Sequence, residues 1–318
     1  MFVTGKSHMC VLYLRKETIK LSNFAKLFES ILSNIVYSHV EKYIAIEQHG
    51  FVKGRSTLTN LCEFTHFVSE SLDNKLQVDM IYTDMSKAFD RVNHCILLHK
   101  LRSFGICRTL VLMFQSLISN RIHYVEHKGY ISASYETTSG VCQGSNLGPL
   151  FFNDVVKVLK CKPFIYADDL KIVNVIRSYQ HCLDLQEDLD MLIKWCYNNM
   201  LDVNFDKCII MSFLRKKTMQ FFYYNMNGKI LKRCDEFCDL GVIMNSTMSF
   251  KTHIESVTKR AIKMLGFIIR NATDFTNPVS FKLLFYSLVR SRLEYCSVLW
   301  SPYQNTYILL LERVLRKF

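Results

Sequence analysis

Two adjacent carboxylates, Asp168 and Asp169, close the run Tyr166-Ala167-Asp168-Asp169 between two apolar, β-branched stretches, Pro163–Ile165 and Leu170–Val175. Ile, Val, Tyr and Phe suit a half-buried pleated surface and Asp suits turns, so the run predicts strand, tight turn, strand, with the acids at the tip. Like charges on neighbouring residues are relieved most simply by a divalent cation. A hard cation such as Mg2+ takes one or two protein carboxylates and fills its octahedron with water and substrate phosphates. An Asp-Asp pair also occurs in solvated loops. A third acid in a matching setting favours the metal alternative: Asp84 follows Met80-Ile81-Tyr82 and precedes Met85-Ser86-Lys87-Ala88-Phe89-Asp90, where a strand ends and a helix is about to begin. Three carboxylates at strand ends can share two metals, the arrangement of phosphoryl chemistry.

These acids need a scaffold, and 318 residues with a hydrophobic fraction of 49% supply a large core in two or three packed subdomains. Lys and Arg number 40 against 28 Asp and Glu, a formal charge of +12, which points to a polyanionic partner or an anionic surface. Residues 251–318 alone hold eleven Lys/Arg and four acids, so more than half of the excess lies in the last fifth of the chain. The 12 cysteines are scattered, several at apolar helical positions such as Cys62, Cys196 and Cys296, as expected of reduced core thiols. Cys234 and Cys238 lack partners at zinc spacing. No stretch approaches ~18 uninterrupted apolar residues and no hydrophobic signal core opens the chain, so neither membrane insertion nor secretion is expected; the expected address is intracellular, nucleus or cytoplasm.

With 4 Pro and 11 Gly there is no evident linker or repeat. Periodicity predicts a helix over 22–45 with Phe24, Leu27, Phe28, Ile31, Leu32 and Ile35 inward, then a second capped by Ser56 or Thr57 and running to about Asn74. A strand ending at Asp84, helices over Val92–Phe104 and Thr109–Ser119, and a hairpin over Ile122–Thr138 follow. Gly140–Gly148 is glycine-rich and leads through Pro149 into a helix, so its amides could approach a nucleotide, although an ordinary turn has the same composition. A helix over Cys182–Met200 and strands near Cys208–Phe213, Phe221–Tyr224 and Phe237–Met244 precede a helical end. The expected class is α+β, with a helical region, a mixed centre bearing acids on strand ends, and a basic helical tail.

Taken in order, these motifs resemble the reverse transcriptases of non-LTR retrotransposons, particularly jockey-like elements. They are Gln48-His49-Gly50-Phe51-Val52-Lys53-Gly54-Arg55-Ser56, Tyr82–Asp90, the Ser139–Pro149 loop, Tyr166–Asp169, Leu240-Gly241-Val242 and Ser287–Pro302. The resemblance implies a right-hand polymerase fold: fingers over 1–80, N-terminally truncated; palm with interleaved fingers elements and primer grip over 81–250; a basic helical thumb-like region over 251–318. It implies RNA-directed DNA polymerase activity, extending a primer 3′-hydroxyl with dNTPs on an RNA template. Asp84, Asp168 and Asp169 would be catalytic and would hold two Mg2+ ions together with the Met85 carbonyl. Phe89 would crowd the ribose 2′ position, unless it is simply packed under a helix. Gln143 and Gly144 would line the nucleotide pocket, and Lys53 and Arg55 would pair with phosphates or stand as surface charges. Lys207 would protonate pyrophosphate. Asp90 is expected to cap or pin the following helix.

The chain departs from the family's pattern at four points. An upstream endonuclease domain is not among these 318 residues, and the first finger motif is replaced by Leu14-Arg15-Lys16-Glu17-Thr18-Ile19, where Arg15 or Lys16 would have to substitute for an Arg. Cys142 stands where the family has Pro, and the helix after Pro149 is shorter by roughly one turn, Phe152 directly joining Asn153. The alternative these marks raise is a catalytically impaired retroelement remnant that only binds nucleic acid.

Overall fold

In the computed structural model, which describes residues 9–13, 18–20, 31, 35, 37, 39–119, 121–127, 130–141, 147–215, 218–272 and 277–318, the acids lie at the ends of a five-stranded sheet. Ahead of that sheet come strands β1 (Met9–Tyr13) and β2 (Thr18–Lys20) and a helix α1, described at residues 31, 35, 37, 39 and 40. Helix α2 (Thr57–Asp73) feeds the central strand β3 (Gln77–Thr83). Helices α3 (His94–Ser103) and α4 (Arg108–Ile118) lead to β4 (Arg121–His127), β5 (Tyr130–Ile131) and β6 (Tyr135–Thr137), which join β1 and β2 in a peripheral sheet. Next come α5 (Leu147–Phe152), β7 (Lys162–Tyr166), β8 (Asp169–Ile176) and α6 (Tyr179–Asn198). Strands β9 (Ile209–Phe213), β10 (Asn225–Met226), β11 (Lys229–Ile230) and β12 (Lys232–Arg233) precede the hairpin β13 (Glu236–Asp239) and β14 (Val242–Asn245). The end of the chain is helical: α7 (Lys251–Asn271), α8 (Pro278–Phe285), α9 (Ser291–Glu294), α10 (Ser297–Trp300) and α11 (Asn305–Arg316).

The central sheet runs β12-β9-β3-β8-β7, antiparallel except for β12 beside β9. It is buried on both faces, which is why β3 and β8 read as nearly continuous apolar runs. Val78, Met80, Val173 and Met211 pack with α2, β14 and α7, whereas Ile81, Leu170, Ile172 and Ile210 pack with α3, α5 and α6. A separate cluster of Ala261, Leu265, Ile268, Phe285, Val289 and Val314 holds α7, α8 and α11 together. At roughly 25 cal/mol per Å2 of apolar surface, a fully buried Leu or Phe stabilises by about 2 kcal/mol, so these three clusters fix the elements before any polar contact is counted.

Local sequence explains most boundaries. Ser56 caps α2 by accepting from the Thr59 amide while the Thr59 hydroxyl accepts from the Ser56 amide, a reciprocal capping box. Three expectations need correction. Phe221–Tyr224 is not a strand: its aromatics alternate, but the chain is pinned by the Gln77 side chain at Gln220 and by Tyr224 to Asp79 rather than by a ladder. Ile31 and Ile35 are each 50% exposed rather than inward, whereas Val40 is buried; Phe24, Leu27, Phe28 and Leu32 lie outside the described residues. Asp90 does not cap the next helix; Asn93 does, its Oδ1 accepting from the Ile96 amide at 3.1 Å. After Pro149 the α-helix ends at Phe152 and a 3-10 helix continues from Asn153 to Val158.

Candidate active site

The hairpin forms as its sequence predicts. Tyr166 pairs with Asp169, leaving Ala167 and Asp168 as the two turn residues. Ala167 has φ +60°, the sign that a type II′ hairpin demands of its first turn residue and that glycine usually supplies. Asp84 follows β3 directly, one step beyond the pair Thr83–Leu170, so the two strands deliver Asp84 and the Asp168-Asp169 pair to the same end of the sheet.

Asp84 is anchored from the other side by the segment 202–207. The Asn204 amide donates to the Asp84 carbonyl and the Ser86 amide to the Asp202 carbonyl, both at 2.8 Å, and Met85 bridges Val203. A turn from Asn204 to Lys207 then sets the Lys207 Nζ 3.3 Å from Asp84 Oδ2. Lys207 stays largely exposed, so the contact is screened and contributes little to stability. Its value is positional, a cation held beside a carboxylate.

Burial pushes the Asp168 carboxyl up to about 6, and the charges of Asp169 and Asp84 push the same way. Asp169 is also raised by burial, although Tyr82, whose hydroxyl donates to Asp169 Oδ1, works against the rise. Burial and the Asp169 charge together raise the Tyr82 phenol, so it stays a donor. Among the described residues no three His, Cys, Asp or Glu side chains form a ready ligand cluster. The donor set is nevertheless all oxygen and its carboxylates repel one another, which fits a hard cation that takes one or two carboxylates and leaves its other positions to water and phosphate.

The remaining candidates are placed unevenly. Phe89 is half-buried between Phe51 and Phe152, at 6.2 and 5.9 Å between ring centres, and a Cβ on Gly148 would come within 2.1 Å of its ring. The Gly148 backbone therefore forms the floor under Phe89. Lys53 is exposed near Tyr37, which accepts from its amide. Arg55 gives Nη1 to the carbonyls of Ala45, Ile46 and Gln48, so this nitrogen braces a loop. Gln143 and Gly144 lie outside the described residues, as do Cys142, Arg15 and Lys16. Ser139 and Gly140 fold back on Phe89–Val92, with the Val141 amide donating to the Phe89 carbonyl at 2.9 Å.

Two participants carried no chemical signal in the sequence. Tyr82 bonds Asp169 only because β3 and β8 pair in this register, and Gln48 reaches the Ala167 backbone across 119 positions. The first shows in the sequence only as a tyrosine two residues before Asp84.

The model of the family described as reverse transcriptase (RNA-dependent DNA polymerase) matches residues 15–269. The chain is 28% identical over 269 residues to the RNA-directed DNA polymerase from the mobile element jockey of Drosophila melanogaster, covering 80% of this chain and 29% of that protein. It is 26% identical over 270 residues to the probable RNA-directed DNA polymerase from transposon BS of the same fly, covering 77% and 29%. This chain thus spans less than a third of the length of either relative. Among solved structures, apo telomerase from Candida tropicalis aligns with a TM-score of 0.47 at 12% identity, over 91% of this chain and 53% of that one. Matched across most of its length, the chain belongs to the reverse transcriptase family with its right-hand fold, and within that family it is of the jockey-like, non-LTR kind.

Proposed function

We propose that this chain is the polymerase core of a non-LTR retrotransposon, an RNA-directed DNA polymerase that extends a primer 3′-hydroxyl with dNTPs on an RNA template. The observation that carries it is the delivery of Asp84 and Asp168 to one end of the central sheet, with Lys207 beside Asp84. Residues 1–80 would act as fingers, 81–250 as palm with the β13-β14 hairpin as primer grip, and 251–318 as a basic thumb tracking the phosphate backbone with salt-sensitive, sequence-independent affinity.

Asp84 and Asp168, assisted by Asp169 and the Met85 carbonyl, would hold two Mg2+ ions. Bound there, the pair would lower the pKa of the primer hydroxyl and neutralise charge on the leaving pyrophosphate. Lys207 would give a proton from Nζ to that pyrophosphate. Phe89, fixed on Gly148, would close the space a ribose 2′-hydroxyl needs. Lys53 would meet the triphosphate, and Gln143 and Gly144 would line its pocket. With Arg55 committed at Nη1 to three carbonyls, Lys53 has the better claim to phosphate.

The test is primer extension by the purified chain on an RNA template with Mg2+, beside Asp168→Asn. Wild-type extension that is abolished in a folded Asp168→Asn variant supports the assignment. A wild type that binds RNA–DNA hybrid but extends nothing, even with Mn2+, favours a remnant that only binds nucleic acid.

A further inference from the structure

We infer that Gln48 is a positioning residue that holds Asp168 in register by clamping the backbone of the Ala167-Asp168 turn. The inference deepens the polymerase proposal and rests on it only for its kinetic readout. Gln48 is wholly buried, and its side-chain amide is spent on the turn and its support. Oε1 accepts from the Ala167 amide at 2.9 Å and from the Gly50 amide at 2.7 Å, while Nε2 donates to the Ala167 carbonyl at 3.2 Å. One donor and one acceptor thus address both polar groups of a single residue, as a neighbouring strand would.

The turn needs that partner. Ala167 sits at φ +60°, a region that disfavours any residue with a Cβ and persists where surroundings over-determine it. Both of its peptide groups lie at the tip of a hairpin, beyond the reach of the β7-β8 ladder, and Ala167 is buried from water. Without Gln48 they are left unsatisfied, and the cheapest escape is rotation of the peptide, which moves the carboxylate of the next residue, Asp168.

The backbone around Gln48 is built for the same approach. The His49 amide donates to the Ile165 carbonyl at 2.9 Å and the Ile165 amide to the Glu47 carbonyl at 3.1 Å, a short parallel bridge beside the hairpin. A Cβ on Gly50 would come within 2.2 Å of the Ala167 nitrogen, so only glycine lets the segment close on the turn. Asn60 adds a bond from α2 to the Ile165 carbonyl at 3.1 Å. The Gln48–Gly50 motif therefore reaches the turn from behind, through the backbone of Ala167 and Ile165, and its hydrogen bonds go to neither carboxylate.

Gln48→Met keeps the buried volume and removes all three bonds; Gln48→Glu keeps an acceptor for both amides and loses the donor to the Ala167 carbonyl when ionised. Both are compared with wild type in the full chain by amide hydrogen exchange across 164–170, by Mn2+ affinity from electron paramagnetic resonance, and by single-nucleotide kcat and KM. The expected result for Gln48→Met is exchange faster by at least about tenfold confined to this turn, Mn2+ affinity lower by about 10–100-fold, and kcat lower by about 100-fold with KM little changed. Gln48→Glu should fall between the two. Wild-type exchange at the turn with wild-type Mn2+ affinity in Gln48→Met overturns the inference, and so does loss of protection spread evenly over β3, β8 and α2. A wild type that extends no primer sinks the polymerase proposal alone, because the exchange and Mn2+ arms still decide the clamp.

Discussion

Tyr82 on β3 donates its hydroxyl to Asp169 on β8, so the second acid of the pair is tied back to the sheet by a side chain, whereas the Asp168 carboxylate is met by its own backbone amide. The two adjacent carboxylates are therefore unequal. Tyr82→Phe removes a charge-assisted bond and leaves a half-buried carboxylate oxygen short of a donor, which should destabilise the fold by about 1–2 kcal/mol in urea denaturation. The bond opposes the rise in the Asp169 pKa, so its loss moves that pKa further up. The acid limb of extension activity should shift to higher pH in Tyr82→Phe. An unshifted pH profile with unchanged stability would show that the bond has no part in tuning the site.

Asp168 should make stability fall as pH rises through its titration range. Its folded pKa is raised from 3.8 to about 6, so the folded state binds the proton more tightly than the unfolded chain. Its contribution is fully present below pH 3.8, is lost between there and about pH 6, and stays lost above. After allowance for partial exposure, Asp168→Asn should be more stable than wild type by about 1–2 kcal/mol at pH 7, with the gain gone at pH 3.5. Added Mg2+ should raise the wild-type melting temperature at pH 7 and leave that of Asp168→Asn nearly unmoved. Equal responses of the two proteins would argue against a metal at this carboxylate.

What the sequence made legible was local. The Tyr166–Asp169 turn, the Ser56 cap and the end of β3 at Asp84 follow from alternation, capping chemistry and turn residues within a few positions. What it hid depends on register and on distant partners. Phe221–Tyr224 alternates like a strand but joins no ladder, and Asn93 rather than Asp90 caps α3 because turn structure runs on through Arg91 and the helix starts only at His94. Gln48 and Lys171 look like solvated polar residues in one dimension, and both are buried once α2 and β8 meet.

Lys171 forms a buried ion pair with Asp239 at 2.6 Å and also donates to Asn60 Oδ1 at 2.8 Å, joining β8 to the β13-β14 hairpin and to α2. The other Asp239 oxygen has no hydrogen-bond partner among the described residues, so the pair is held there by a single strong contact. Lys171→Met strands a buried carboxylate and should destabilise by about 3–5 kcal/mol, whereas Lys171→Met combined with Asp239→Leu should recover most of that loss. A double-mutant cycle in urea measures the coupling. Additive losses would mean that the two side chains contribute independently.

Phe89 and Gly148 set the last expectation, because a Cβ on Gly148 would fall within 2.1 Å of the Phe89 ring and 2.7 Å of a second ring carbon. No small adjustment accommodates that overlap, since Phe51 and Phe152 flank the ring and the Phe89 backbone is bonded to Val141. Gly148→Ala should therefore push Phe89 toward the nucleotide and raise KM for dNTPs by about tenfold or more, the order expected of a misfit comparable to a methyl group. Phe89→Val should act in the opposite sense, opening the 2′ position and raising the rNTP to dNTP ratio of kcat/KM by about 10–200-fold. Steady-state kinetics with matched dNTP and rNTP pairs separates the two effects. If Phe89→Val leaves the ratio unchanged while melting several degrees lower, Phe89 is a packing residue beneath its neighbours and the sugar is selected elsewhere.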